Sequence, residues 1–215
     1  MNYLSLVNNV LRRMREDQVD SVSETSYSSL IGDLVNDAKT SNEHAWDWSA
    51  LRDSKTITTV AGTNEYTLTG AGEDFKFLYF LDTTNKSNII YQSKEWIDVQ
   101  NNVDTPLQGR PNYFSYTTTD SNGDMKVILY PTPDATYTLS FKGVFRQPLL
   151  SGNTDVIKIP WIPVMHLALA FAVRERGETG GPNAAEYFAI ADKYLSDAIA
   201  LDAEKHPEEM IYRTV

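Results

Sequence analysis

Residues 113–145 read YFSYTTTDSNGDMKVILYPTPDATYTLSFKGVF. Tyr113 to Thr118, Met125 to Tyr130 and Tyr137 to Phe145 are rich in aromatic and β-branched residues, which suit a pleated, half-buried surface. Between them stand Asp120-Ser-Asn-Gly-Asp124 and Pro131-Thr-Pro-Asp-Ala135, whose residues tolerate left-handed backbone, preset φ or bond their own backbone in turns. The pattern predicts a three-stranded antiparallel meander.

The same character extends towards the N-terminus. Lys55 to Val60, Glu65 to Thr69, Phe75 to Leu81 and Asn88 to Tyr91 alternate threonine and tyrosine with aliphatic residues and are expected to form short strands. Ser93 to Gln100 is expected to be one short helix, and Thr105 to Pro111, with two prolines, a stiff loop.

On both sides of this region the spacing becomes helical. Tyr3, Leu4, Val7, Val10, Leu11 and Met14 predict a helix over about 2–16. Ser21 and Glu24 look like a capping box opening a second helix, carried by Tyr27, Leu30, Ile31, Leu34, Val35 and Ala38 and ending near His44. Trp46 and Trp48 lie two apart, about 200° around a helix, so either one of them faces elsewhere or the helix stops there. A third helix is expected to start with Pro163 in its first position and run to Arg176. A fourth uses Tyr187, Phe188, Ile190, Ala191, Tyr194, Leu195, Ala198, Ile199 and Ala203. The predicted class is α+β: a four-helix layer from the N- and C-terminal helices with an inserted antiparallel β domain. The corresponding divisions are 1–51, 52–150 and 151–205, with a tail over 206–215.

Val164 to Val173 is apolar on every side apart from His166. Such a helix must be covered all round, and a chain with four long helices offers little cover, so a neighbouring subunit is expected to supply part of it. The candidate contact residues are Trp46, Trp48, Trp161, Met165, Leu169 and Phe171. The run is about half the ~20 residues a membrane span needs, so no transmembrane segment is expected.

Several functions are disfavoured by composition. The chain of 215 residues has a formal charge of -10 and no cysteine. Excess negative charge opposes the counterion release that drives tight DNA binding, and thiolate chemistry and disulfides are absent. The opening residues lack the apolar core of a secretory signal, so the chain is expected to be made in a cytosol, where the Asn85-Lys-Ser87 sequon has no role. His44, His166 and His206 show no metal-ligand spacing, so neither metal nor other cofactor is expected. Asp120, Asn122 and Asp124 resemble a calcium loop, but Gly123 is misplaced and the twelfth-position glutamate is missing. The common nucleophile and nucleotide motifs are absent, and no catalytic residue is assigned. Glu43 and Asp47 stand at i, i+4 and are the one carboxylate pair weighed for a hydrolase. Arg12, Arg13 and Arg15 form a small basic cluster, read as a solvated face or a contact for a partner's acids.

Several segments together resemble the head-to-tail adaptor proteins of short-tailed bacteriophages. They are Leu6 to Asp17, Ser26 to Lys39, Ala45 to Arg52, Leu129 to Pro133, Arg174 to Glu178 and Asp197 to Glu209. The resemblance implies a non-enzymatic virion component, assembled in the host cytoplasm. It implies a ring, usually of twelve copies, beneath the portal protein, continuing the DNA channel towards the tail nozzle protein and often helping to carry tail fibres, with DNA passing without sequence-specific contact. In that setting the tail, with Pro207, Met210, Ile211 and Tyr212, is a candidate portal-binding segment. The alternative function is a fibre- or glycan-binding module built on the β region.

Overall fold

The structure, a computed structural model, describes residues 1–103, 107–177 and 182–205. The chain divides into two compact units. One is built from its two ends, Met1–Leu51 and the residues from Gln147 onward, and the other is Arg52–Arg146.

Among its described residues the first unit has four α-helices: α1 (Tyr3–Arg13), α2 (Ser26–Ala45) and, after the inserted unit, α4 (Trp161–Glu175) and α5 (Pro182–Ala203). α1 starts where Asn2 Oδ1 accepts from the Ser5 N–H at 2.9 Å, which satisfies one of the donors a helix start leaves free. It buries Tyr3, Leu6, Val7, Val10 and Leu11. α2 opens later than the Ser21/Glu24 spacing predicts. Glu24 accepts from the Asp20 N–H at 2.6 Å and closes a turn, and the capping box is made by Thr25 and Ser28. α1 packs on α2 and α4, α2 on α4, and α4 on α5.

One expectation about α4 is corrected. Pro163 is its third residue, not its first; the position is tolerated because none of the first four N–H groups has a partner inside a helix. Most of its apolar run is covered within this unit, while His166, Leu167 and Phe171 are half-buried. Val164, Met165, Ala168, Leu169, Ala170, Ala172 and Val173 are all buried among the helices of the same unit.

The face that α2 buries is partly polar: Ser28, Asn36, Lys39, Asn42 and Glu43 lie inside with Ile31, Val35 and Ala38. Ser28, Asn36 and Lys39 are each hydrogen-bonded there, as burial demands. The Asn36 side-chain amide donates to Leu150 O at 3.0 Å and accepts from Leu150 N at 2.9 Å, so one side chain completes the backbone bonding of a returning strand-like segment. Lys39 Nζ donates to Gln147 O at 2.7 Å and stands 3.3 Å from Glu43 Oε1. Burial lowers the Lys39 pKa, and the Glu43 carboxylate opposes that fall.

The second unit holds β1 (Arg52–Thr58), β2 (Glu65–Thr67), β3 (Phe75–Asp82), β4 (Ser87–Tyr91), α3 (Lys94–Val103), β5 (Tyr113–Thr119), β6 (Met125–Tyr130) and β7 (Thr138–Phe145). They form one seven-stranded sheet in the order β1-β7-β3-β4-β5-β6-β2. The sheet is mixed rather than wholly antiparallel. β4 and β5 run parallel, Ile90 opposite Tyr113, because α3 lies on the connection between them and a helical crossover returns the chain to the same end.

The meander also needs correction. β5 and β6 pair, but β7 leaves β6 and lies between β1 and β3. Pro131 and Pro133 supply no N–H to continue a ladder beside β6. The Asp120–Asp124 segment is a hairpin turn: Asp120 Oδ1 accepts from the Asn122 and Asp124 N–H groups at 2.8 and 3.0 Å, and Gly123 takes φ +81°.

The sheet curls strongly. In a flat sheet, three strand steps from β5 to β7 would separate their residues by about 14 Å. The Phe114 and Phe141 rings are instead 6.1 Å apart and nearly perpendicular. Phe77 and Phe80 of β3 fill the space between them, at 5.2–5.3 Å from both rings. Ile57, Leu68, Ile89, Val127, Leu129 and Leu139 complete this core.

Candidate interaction surfaces

The six candidate contact residues divide by burial. Trp48 is 0 % exposed, and its indole N–H donates to Asn42 O at 2.7 Å. Met165 and Leu169 are likewise interior. α2 stops at Ala45 and Trp46 is extended, φ -152°, so the two indoles point to different environments, and Trp46 remains 36 % exposed. Trp161 and Phe171 are half-buried; Phe171 packs 6.0 Å from Phe188, with the Arg174 guanidinium over both rings. Pro207, Met210, Ile211 and Tyr212 lie outside the described residues.

A residue that the spacing argument missed organises the exposed side of this unit. Asp202, on the last turn of α5, is 4 % exposed. Its carboxylate accepts from the Ser49 hydroxyl at 2.5 Å, the Ser49 N–H at 2.9 Å and the Trp46 indole at 3.2 Å, and Lys205 Nζ lies 3.0 Å away. Burial alone pushes its pKa up, but the Ser49 and Lys205 interactions outweigh burial and hold it at about 2. Asp202 therefore ties the end of α5 to the turn after α2 as an anion at neutral pH. Nothing in sequence joins residues 49 and 202, so only the fold reveals the pair.

Beside it runs an apolar groove of about 360 Å³, walled by the start of α4 (Ile162, Pro163, with Pro160 before it) and the second half of α5 (Tyr194, Ala198, Leu201). Leu201 is 64 % exposed, and Ile162 and Tyr194 are each 39 % exposed. The His166 ring stacks on Tyr194 at 4.4 Å and 16°. Burial, with help from the Arg13 charge, lowers the His166 pKa, so the ring is neutral near pH 7 and acts as an apolar plate. A second, polar groove of about 600 Å³ is lined by Tyr3, Ser21, Asp33, Asn36 and Asn153 among others.

The β unit also exposes apolar side chains. β3 bulges between Phe77 and Tyr79 against β7, and a bulge re-aims the side chains at it. Leu78 and Tyr79 are 39 % and 45 % exposed, and Ile90 and Tyr91 of β4 are 56 % and 52 %. Continuing the register Phe80↔Ile89 sets Tyr79 beside Ile90 and Leu78 beside Tyr91.

Catalytic geometry at the weighed carboxylates does not materialise as a helical pair. Glu43 is interior and ion-paired with Lys39, and α2 ends before Asp47. Among the described residues no group of three or more His, Asp or Glu side chains is placed to hold a metal ion, and no described helix is long and apolar enough to cross a membrane.

No curated protein matches the chain. A family model, that of the SU10 adaptor protein, matches residues 1–210, nearly the whole length. The match takes in both helical ends and the inserted sheet, and the chain belongs to the SU10 adaptor protein family, a family of phage head-to-tail adaptors.

Proposed function

We propose that this protein is one subunit of a closed ring, of twelve copies, that joins the portal to the tail nozzle and fibres and continues the DNA channel. Family membership makes it a structural adaptor of the virion tail; the ring and its contacts are our reading. The observation that carries it is the exposed apolar groove between α4 and α5. A monomer gains nothing by leaving Leu201, Ile162 and Tyr194 in water, and a partner that covers them gains about 25 cal/mol per Å² buried.

A ring closes only through two different patches on each subunit. Trp46, Trp161, Phe171 and the groove supply apolar area on the helical unit, and Leu78, Tyr79, Ile90 and Tyr91 supply it on the β unit. Trp48, Met165 and Leu169 serve the same contacts indirectly, by holding the helices that carry them. In this arrangement the ends 1–51 and 151–205 act as a single four-helix layer bearing ring contacts. The insertion 52–150 meets tail parts or fibres, and the tail 206–215 meets the portal. The formal charge of -10 keeps DNA from adhering as it passes.

The test is the mass of the purified chain by light scattering with negative-stain images, alone and after adding portal protein. Rings of about twelve subunits in either condition are the expected result. A chain that stays monomeric and does not bind portal would overturn the reading.

A further inference from the structure

We propose that the arginines at the end of α1 in one subunit enter the polar groove at the start of α1 in a second copy, where Asp33 receives them. This rests on the adaptor reading and names the residues of one contact between neighbouring subunits; its test is separate from that of the ring.

The donor side is built by the way α1 ends. Arg12 and Arg13 fill its last turn, and Met14 and Arg15 follow. The Arg15 N–H bonds Arg12 O at 3.2 Å and the Glu16 N–H bonds Leu11 O at 3.0 Å, a paired closure whose left-handed residue is ordinarily glycine. Arg15 takes that conformation, φ +60°, so the turn carries a long cation where glycine would leave the backbone unstrained. The helix dipole favours cations at this end but gives none of them a carboxylate. Arg12, Arg13 and Arg15 are exposed, and none forms an ion pair with a described residue. The acid next to them, Glu16, is engaged by Arg176.

The acceptor side lies at the other end of the same helix. Gly32 packs against Tyr3, and Asp33 and Tyr3 line the groove of about 600 Å³. Asp33 is the one charge in its lining, with the hydroxyls of Ser21, Ser23 and Ser29 nearby, and no lysine or arginine lines it. Asp37, one turn further along α2, is exposed as well, and like charges four apart on a helix repel. Neither carboxylate forms an ion pair with a described residue. The one base between Asp17 and Glu43 is Lys39, which is interior. α1 has 11 residues, so its ends stand about 16 Å apart, farther than an arginine side chain extends. The arginines of the same chain therefore cannot serve Asp33.

The chemistry of the two patches matches. A guanidinium presents five donors in a planar fork, which suits a groove of carboxylate and hydroxyl oxygens. Because the two patches differ, each subunit that uses one keeps the other for the next copy, as a closing ring requires. With a formal charge of -10, two copies repel unless opposite patches meet, so this contact sets the register of their approach.

Arg13→Lys keeps the charge and supplies an amine that a carbodiimide joins to a carboxylate in contact with it. Nitrogen-15-labelled and unlabelled full-length chains carrying this substitution are mixed and treated, alone and with portal protein, and mass spectrometry reads which residues are joined. The expected result is a mixed-isotope peptide joining residue 13 to residue 33. Its yield should fall at least about ten-fold in high salt, and equally when Arg12→Glu and Arg15→Glu are added. Both added positions are exposed, and circular dichroism checks that the fold is kept. Absence of the 13–33 junction in both conditions, a junction within one chain, or one to portal in its place would each overturn the proposal. Ring images report on the adaptor reading alone: rings without the junction refute only this contact, and the junction without rings refutes only the ring.

Discussion

Asp202→Asn isolates the charge that joins the end of α5 to the turn after α2, since it keeps the size and one oxygen of the side chain. The wild-type carboxyl sits at about 2 in the fold against an ordinary 3.8, a difference worth about 2 kcal/mol at 1.36 kcal/mol per pKa unit. Its side chain is 5 % exposed, so solvent screening takes little from that figure. Because the folded value is depressed, this stability is fully present above the unfolded pKa of about 4 and is lost as pH falls towards 2. The variant should therefore be about 2 kcal/mol less stable at pH 7, a fall in Tm of roughly 4–8 °C for a chain of this size. At pH 3 the deficit should shrink to about 1 kcal/mol. Urea unfolding followed by tryptophan fluorescence at pH 7, 5, 4 and 3 measures it, with Trp46 and Trp48 reporting from the affected turn. A deficit that does not change between pH 7 and 3 would refute the electrostatic account and leave only packing.

Lys39→Met removes the ammonium 3.3 Å from the buried Glu43 carboxylate and should cost about 3–5 kcal/mol, whereas the double variant Lys39→Met/Glu43→Leu should recover most of that loss in a denaturant double-mutant cycle. Gly32→Ala places a Cβ 2.5 Å from Tyr3 Oη and 2.7 Å from Val22 Cγ1, so overpacking should lower stability by about 1–3 kcal/mol in the same assay. Phe114→Ala removes the ring that meets Phe77, Phe80, Tyr91, Tyr116 and Phe141 and should cost about 3–5 kcal/mol, seen as a lower urea midpoint. Asn36→Ala leaves the Leu150 N–H and C=O without their side-chain partner and should cost about 2–6 kcal/mol at one to three per lost group, with faster amide exchange at Leu150.

How much of this was legible depended on whether partners were near in sequence. The α1 stripe, the short strands and the α3 helix were read from local sequence, and each formed within about three residues of the expected bounds. The start of α2 was misplaced because Ser21/Glu24 and Thr25/Ser28 offer the same cap chemistry four residues apart, and only packing selects between them. Local reasoning joined β7 to β6 because they are consecutive, while the actual partners of Phe141 are Lys55 and Phe80, far away in sequence. The polar seam of α2 was invisible for the same reason: Asn36 and Leu150 are 114 residues apart. Of the surface residues, Trp46 could be separated from Trp48 only once the helix end was known, and Asp202 only once Ser49 was beside it.

The pairing of β1 with β7, Arg52 opposite Val144, bears on the order in which the chain folds. It brings the entry and exit of the inserted unit within one strand spacing of each other. Without it, α2 and α4 must meet across a loop of roughly 115 residues; with the insert already folded, the path through its paired ends is roughly 23 residues long. On a (3/2)RT ln n scale the difference is about 1.4 kcal/mol of closure entropy. A folding path in which the insert forms first thus shortens the loop between the two helical ends about five-fold.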